Sequence, residues 1–190
     1  MAGDAAETRK RLLAAATEEF ATRGIAGARV DRIATEAGAN KSLIYSYFGS
    51  KEGLFAAVYD AQVVLTVDAV PFEAADLPGY AGRLYDYYRV NPTVYRLTAW
   101  SRLEQPQARL KMTNAVEAGS ASTSRKLAAI EAEQQAGRLT RRFAPPELLS
   151  LVLSIASMWN ETSPEYSAGL GVSVERQRAS VVEAVRLLLA

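Results

Sequence analysis

Between Asn40 and Lys51 the sequence NKSLIYSYFGSK crowds two lysines, two tyrosines, an asparagine and several serines around Leu43, Ile44 and Phe48. If this is a short helix, only one stripe of it can be buried. With Leu43, Ile44 and Phe48 turned inward, Asn40, Lys41, Ser42, Tyr45 and Ser46 must point mostly outward. Those side chains carry donors and acceptors of the right length to reach base edges and phosphate oxygens. Lys51 falls in the first turn of the next helix, where it works against the helix dipole. There it joins the positive helix end in binding a phosphate oxygen. The chemistry on offer is recognition of a polyanion rather than the making or breaking of bonds.

The composition argues the same way by exclusion. Among 190 residues there is no histidine and no cysteine, which removes disulfides, thiolate chemistry, most zinc sites and the commonest general acid–base group. No catalytic residue, metal or cofactor is expected, and the chain is read as not an enzyme. The net charge is only +1, from 22 basic and 21 acidic side chains, so attraction to a polyanion has to come from local placement. Residues 1–51 carry Arg9, Lys10, Arg11, Arg23, Arg29, Arg32, Lys41 and Lys51 against Asp4, Glu7, Glu18, Glu19, Asp31 and Glu36. The N-terminus is polar, and the longest uncharged run, Leu148 to Asn160, is shorter than the roughly 20 residues of a membrane span. A cytoplasmic protein with no membrane partner is expected.

The elements that must position these residues are helices. Alanine, leucine, glutamate and arginine dominate, and glycine and proline fall mostly between periodic segments, with no competing strand signal. A first helix is predicted over about Thr8 to Arg23, ended by Gly24 in a left-handed capping conformation. A second, Val30 to Ala37, breaks at Gly38, and a third runs from Lys41 to about Tyr47. Ser50 caps a fourth that continues to about Val70. PFEAADLPG, residues 71–79, holds two prolines and a glycine and is the best candidate for a hinge or boundary. Beyond it, Asn91-Pro92 opens a helix to about Glu104, Pro106 one to Gly137, and Pro145-Pro146 one ending near Glu161. After a loop from Ser163 to Gly171, Ser173 caps a last helix. Two short helices joined by a glycine turn form a helix-turn-helix, whose second member enters the major groove of DNA.

The run VDRIATEAGANKSLIYSYFGSKEGLF closely resembles the DNA-binding domain of the TetR family of transcriptional repressors. The shared features are Ile33-Ala34 in the second helix, Gly38 in the turn, Tyr45 with Phe48 ending the recognition helix, and Ser50-Lys51 with Leu54 opening the fourth. The likeness covers about the first sixty residues and includes Phe20 and Gly24. It implies base contacts from Asn40, Lys41, Ser42 and Ser46, and phosphate contacts from Arg29, Tyr45, Tyr47 and Lys51. One departure stands out: the family often opens its second helix with serine or threonine, whereas this chain has Ala28-Arg29 and loses that side-chain cap.

The resemblance further implies an all-α fold of about nine helices. The expected domains are a helix-turn-helix at 1–51, a connecting helix and hinge at 52–78, and a larger ligand-binding and dimerisation domain at 79–190. The partners it implies are a double-stranded DNA operator, a small apolar or aromatic effector and a second copy of the chain. The aromatics concentrated in the middle make Tyr85, Tyr88, Tyr95, Trp100, Met112 and Trp159 the candidates for the effector pocket. The last two helices carry the stripes expected at the dimer contact, represented by Leu149, Leu153, Ser157, Val181, Val185 and Leu188. Two other functions compete with this reading: a helical enzyme acting on an apolar molecule, and a protein-interaction module with no DNA role.

Overall fold

A computed structural model describes residues 2–104, 116–160 and 171–190. Among them there are nine α-helices and no strand. They are α1 (Ala2–Gly27), α2 (Val30–Glu36), α3 (Lys41–Phe48), α4 (Lys51–Ala69), α5 (Leu77–Val90), α6 (Pro92–Glu104), α7 (Val116–Gln135), α8 (Pro145–Ala156) and α9 (Val174–Leu189). The all-helical expectation holds. Two compact units emerge, one drawn from residues 1–65 and 93–119, the other from 66–92 and 120–190. No single described helix is long and apolar enough to cross a membrane.

The first unit closes over Leu12, Ala16, Phe20, Ile25, Val30, Ile33, Ile44, Leu54, Phe55, Val58 and Leu97. Phe20 and Phe55 meet edge to face with ring centres 5.2 Å apart, and the Trp100 indole N–H of α6 donates to the carbonyl of Ala21 at 3.4 Å. Gly24 does break α1, but differently from the expected cap. It takes φ 67° and ψ 179°, a region essentially closed to residues with a Cβ, and one further helical turn follows it. The helix also starts earlier than predicted, at Ala2, because the alanine-rich opening contains nothing that disfavours it. Ser50 caps α4 as expected, its hydroxyl accepting the Gly53 N–H at 3.0 Å. At Gly53 a side chain is impossible without movement: a Cβ there would lie 2.1 Å from the carbonyl oxygen of Phe48. The end of α3 is thereby held tightly against the start of α4.

The second unit packs α5, α8 and α9 around Leu77, Tyr80, Leu84, Tyr85, Ile130, Leu148, Leu149, Val152, Val181 and Val185. Part of the stretch predicted as a hinge is helical. Ala74–Asp76 makes a 3₁₀ turn, and the Asp76 carboxylate then caps α5 by accepting the Gly79 N–H at 2.9 Å. Pro78 sits at the opening of that helix, where its missing N–H costs nothing. Here Pro78 marks a helix start, while Pro71 follows the end of α4. The predicted end of α8 near Glu161 is also corrected: the helix stops at Ala156. The Ser157 hydroxyl bonds back to the Leu153 and Ser154 carbonyls and the Asn160 amide to the Ser157 carbonyl, local bonds that compete with continued helix. Ser173 caps α9 as expected. The predicted start of α7 at Pro106 and the loop from Ser163 lie outside the described residues.

Candidate nucleic-acid interface

The turn between α2 and α3 is made by Gly38, at φ +59°, and α3 is opened by Asn40. The Asn40 side chain accepts the Ser42 N–H at 2.9 Å and the Ser42 hydroxyl at 2.8 Å. Two residues chosen for base contact are thus bonded to each other at the head of the helix. Behind them Ile44 is fully buried, while Leu43, Tyr47 and Phe48 are half-buried against the same core. The opposite face of α3 presents Lys41, Ser42, Tyr45 and Ser46 to solvent, with Tyr45 47% exposed. This is the division that the apolar spacing of α3 requires.

Lys41 is not idle in the free protein. Its ammonium lies 2.8 Å from the Asp31 carboxylate on α2, and that hydrogen bond, with the accompanying charge attraction, holds the lysine's pKa above its usual value. Both partners are exposed, so the pair contributes little to stability, yet it fixes where the lysine's charge sits. Tyr47 packs edge-on to Phe48 with centres 6.1 Å apart, and the Arg9 guanidinium lies 5.2 Å above the Phe48 ring. Lys51 is half-buried and its ammonium reaches the Ala28 carbonyl at 3.4 Å. It therefore ties the start of α4 to the loop before α2 while remaining at the positive end of a long helix.

Arg29 is exposed, and as the residue before α2 it provides no side-chain cap. Nothing in the local sequence signals the compensation. Glu19, on α1, accepts the Arg29 N–H at 2.9 Å and the Arg32 Nε at 2.8 Å. Burial alone would raise the pKa of Glu19, but these hydrogen bonds, helped by the charges of Arg32 and Arg23, bring it below the usual value. Glu19 and Asp31 are the two charged partners of this face that the sequence reading missed. Their partners lie ten and thirteen residues away, on or just before other helices, and no helical spacing signals such pairs. Around them an open groove of about 830 Å³ runs between α1 and α2, lined by Arg11, Glu18, Arg23 and Glu36 among others.

The six aromatic and thioether candidates fall in different places. Tyr85 is buried in the second unit, and its hydroxyl hydrogen-bonds the Gln177 side-chain oxygen at 2.8 Å. Tyr88 and Trp159 belong to the same unit and are half-buried, with the Trp159 indole donating to the Ser180 hydroxyl at 3.0 Å. Tyr95 and Trp100 belong to the first unit, and Met112 lies outside the described residues. Of the six residues chosen for a dimer contact, Leu149, Val181 and Val185 are buried within their own unit. The stripe of α9 that they mark faces inward. Leu153, Ser157 and Leu188 are half-buried, and Leu187 is 64% exposed.

Comparison with known proteins places both parts of the chain. Residues 12–58 match the family model for bacterial regulatory proteins of the tetR family, and residues 76–186 match the model for the tetracyclin repressor-like C-terminal domain. The HTH-type transcriptional repressor SCO4008 of Streptomyces coelicolor is 36% identical over 99% of this chain and 98% of its own length. The HTH-type transcriptional repressor NicS of Pseudomonas putida is 28% identical over 94% of this chain and 87% of its own. Among solved structures, the transcriptional regulator SCO4942 of Streptomyces coelicolor superposes with a TM-score of 0.78 at 40% identity, covering 95% of this chain and 97% of that one.

Proposed function

The chain belongs to the TetR family of bacterial regulatory proteins, and from that premise we propose that it is a ligand-responsive repressor, binding a pseudo-palindromic operator as a homodimer and released by a small apolar or aromatic molecule. The observation that carries the reading is the two-sided build of α3, with Ile44 fully buried and Lys41, Ser42, Tyr45 and Ser46 on the open face. Lys41, Ser42 and Ser46, with Asn40 at the helix head, are the groups proposed to meet base edges. Arg29, Tyr45, Tyr47 and Lys51 are proposed to meet phosphates and set the register. The two full-length relatives described above are both named repressors, which supports that direction of regulation. Cytoplasmic operation goes with this role.

A single helix-turn-helix reads one half-site, so two copies are required, with recognition helices roughly 34 Å apart or somewhat more. Leu149, Val181 and Val185 then act by holding α8 and α9 to their own unit, and the contact with the second copy falls to Leu153, Ser157, Leu188 and the exposed Leu187. An effector acts only if it binds the DNA-competent arrangement and the released one with different affinity. The effector site is proposed to lie in the second unit, where Tyr85, Tyr88 and Trp159 are found.

Footprinting on the DNA upstream of the chain's own gene, at stated salt, tests the core of this reading. Site-specific protection is expected. Lys41→Ala should weaken discrimination between bases by about 1–3 kcal/mol, whereas Lys51→Ala should weaken all sequences alike and reduce the salt slope by about 1. Protection no stronger than on random DNA, across a range of salt, would remove the proposal.

A further inference from the structure

On α7, Ser122, Lys126, Ile130 and Gln134 recur at steps of four, and this is the inward stripe: Ser122, Ile130 and Gln134 are all buried. A lysine therefore occupies a position where the helix otherwise supplies its core-facing residues. Its ammonium lies 5.5 Å from the centre of the Tyr80 ring and 5.8 Å from that of Phe72, and the two rings meet edge to face at 4.9 Å. No carboxylate pairs with it among the described residues. Burial, together with the neighbouring charge of Arg125, pushes its pKa below the ordinary lysine value.

A second cation lies one helical step from the same tyrosine. Arg83 follows Tyr80 by three residues on α5, and its charge acts on the Tyr80 hydroxyl, partly offsetting the rise in pKa that burial causes there. Its Nη1 reaches the Asp76 carboxylate at 3.2 Å, while its Nη2 is buried with no acceptor. Aromatic faces soften the cost of a desolvated cation. They give no acceptor to a guanidinium N–H, and an unanswered buried donor remains costly.

We propose that Lys126 and Arg83, set about Tyr80, form an anion subsite that takes the single negative charge of an apolar molecule bearing a carboxylate or sulfonate. Lys126 and Arg83, with Arg125 beside the lysine, outnumber the one carboxylate of Asp76, so the surplus charge is positive and favours an anion. The half-buried Phe72 supplies apolar surface for the adjoining part of the ligand. This rests on the reading of the chain as effector-responsive and narrows its effector to an acid.

The test uses the full chain and two fluorescent probes of the same ring system, the monoanion 8-anilinonaphthalene-1-sulfonate and the uncharged N-phenyl-1-naphthylamine. Charge-assisted pairing should make the anion bind the wild type about tenfold more tightly than the neutral probe. Lys126→Met should abolish that preference without weakening the neutral probe, Arg83→Gln should reduce it, and Lys126→Arg should retain most of it. Because Lys126→Met replaces a buried charge with an apolar side chain of similar length, it should fold at least as well as the wild type. Equal affinity for the two probes in the wild type, or a preference untouched by both Lys126→Met and Arg83→Gln, overturns the anion subsite and leaves the effector reading standing. Failure of both probes to bind would overturn the two together.

Discussion

The first unit buries Phe20, Ile33, Ile44, Leu54 and Phe55 and shows its hydrogen-bonding groups to solvent along α3, whereas the second unit buries Gln134, Gln177 and the Tyr85 hydroxyl among its apolar residues. The difference fits the roles proposed for the two units. A DNA duplex is too large to enclose, so the head that reads it needs a rigid apolar base and an open polar face. A small molecule is held by enclosing it, and enclosure requires polar groups inside, each with a partner. Gln134 answers two loop carbonyls, of Thr140 and Phe143, each at 2.8 Å. Gln177 answers Tyr85 at 2.8 Å and donates to the Val172 carbonyl at 3.0 Å.

The contrast is open to attack by substitution. Phe20→Ala strikes the apolar base, and by removing an aromatic ring from a packed core it should cost about 3–5 kcal/mol. Thermal melting should show it, together with loss of all DNA binding rather than loss of base preference alone. In the second unit, Gln177→Ala takes away the 2.8 Å bond of the buried Tyr85 hydroxyl and leaves the longer contact with the Val174 carbonyl at 3.5 Å, at a cost of about 1–3 kcal/mol. Combining Gln177→Leu with Tyr85→Phe should recover much of that loss, because both polar partners go together. If the double variant melts as low as Gln177→Ala, the buried bond is not what that region depends on.

Asp60 is a charged group set partly into the first unit, and it sharpens the comparison. One oxygen of its half-buried carboxylate has no hydrogen-bond partner, and burial raises its pKa to about 6. A carboxylate whose folded pKa exceeds its unfolded value stabilises the fold only where it binds the extra proton. Its penalty is full above about pH 6 and fades as the pH falls from there toward the ordinary value of 3.8. Asp60→Asn should therefore stabilise at pH 7.5 by on the order of 1 kcal/mol, a figure discounted for solvent screening. That is about 2–4 °C in melting temperature, and the gain should shrink near pH 4.5. A gain that is constant with pH would mean that side-chain charge is not the cause.

The smallest effect on stability is expected on the open face of the head. Asp31→Ala breaks the exposed pair with Lys41 and should change the melting temperature very little. It should nonetheless tighten DNA binding several-fold at low salt, since it removes a negative charge beside the proposed interface and frees Lys41. Binding that weakens instead would show Asp31 to be a required positioner of the lysine.

What the sequence determined by itself was local. The apolar spacing of Leu43, Ile44 and Phe48 decided which side of α3 faces out, and the caps at Asn40, Ser50 and Ser173 decided where three helices begin, because capping and amphipathic periodicity act within a few residues. Tertiary structure alone decided what crosses between elements. It directed Val181 and Val185 into their own unit's core, since a helical stripe does not say which neighbour will cover it. It brought Glu19 to the opening of α2 and Lys126 onto the rings of Phe72 and Tyr80. It also made the latter part of PFEAADLPG a 3₁₀ turn and the start of a helix. Such pairings depend on how whole helices pack, and their energies do not exist until the chain has folded far enough for distant residues to meet.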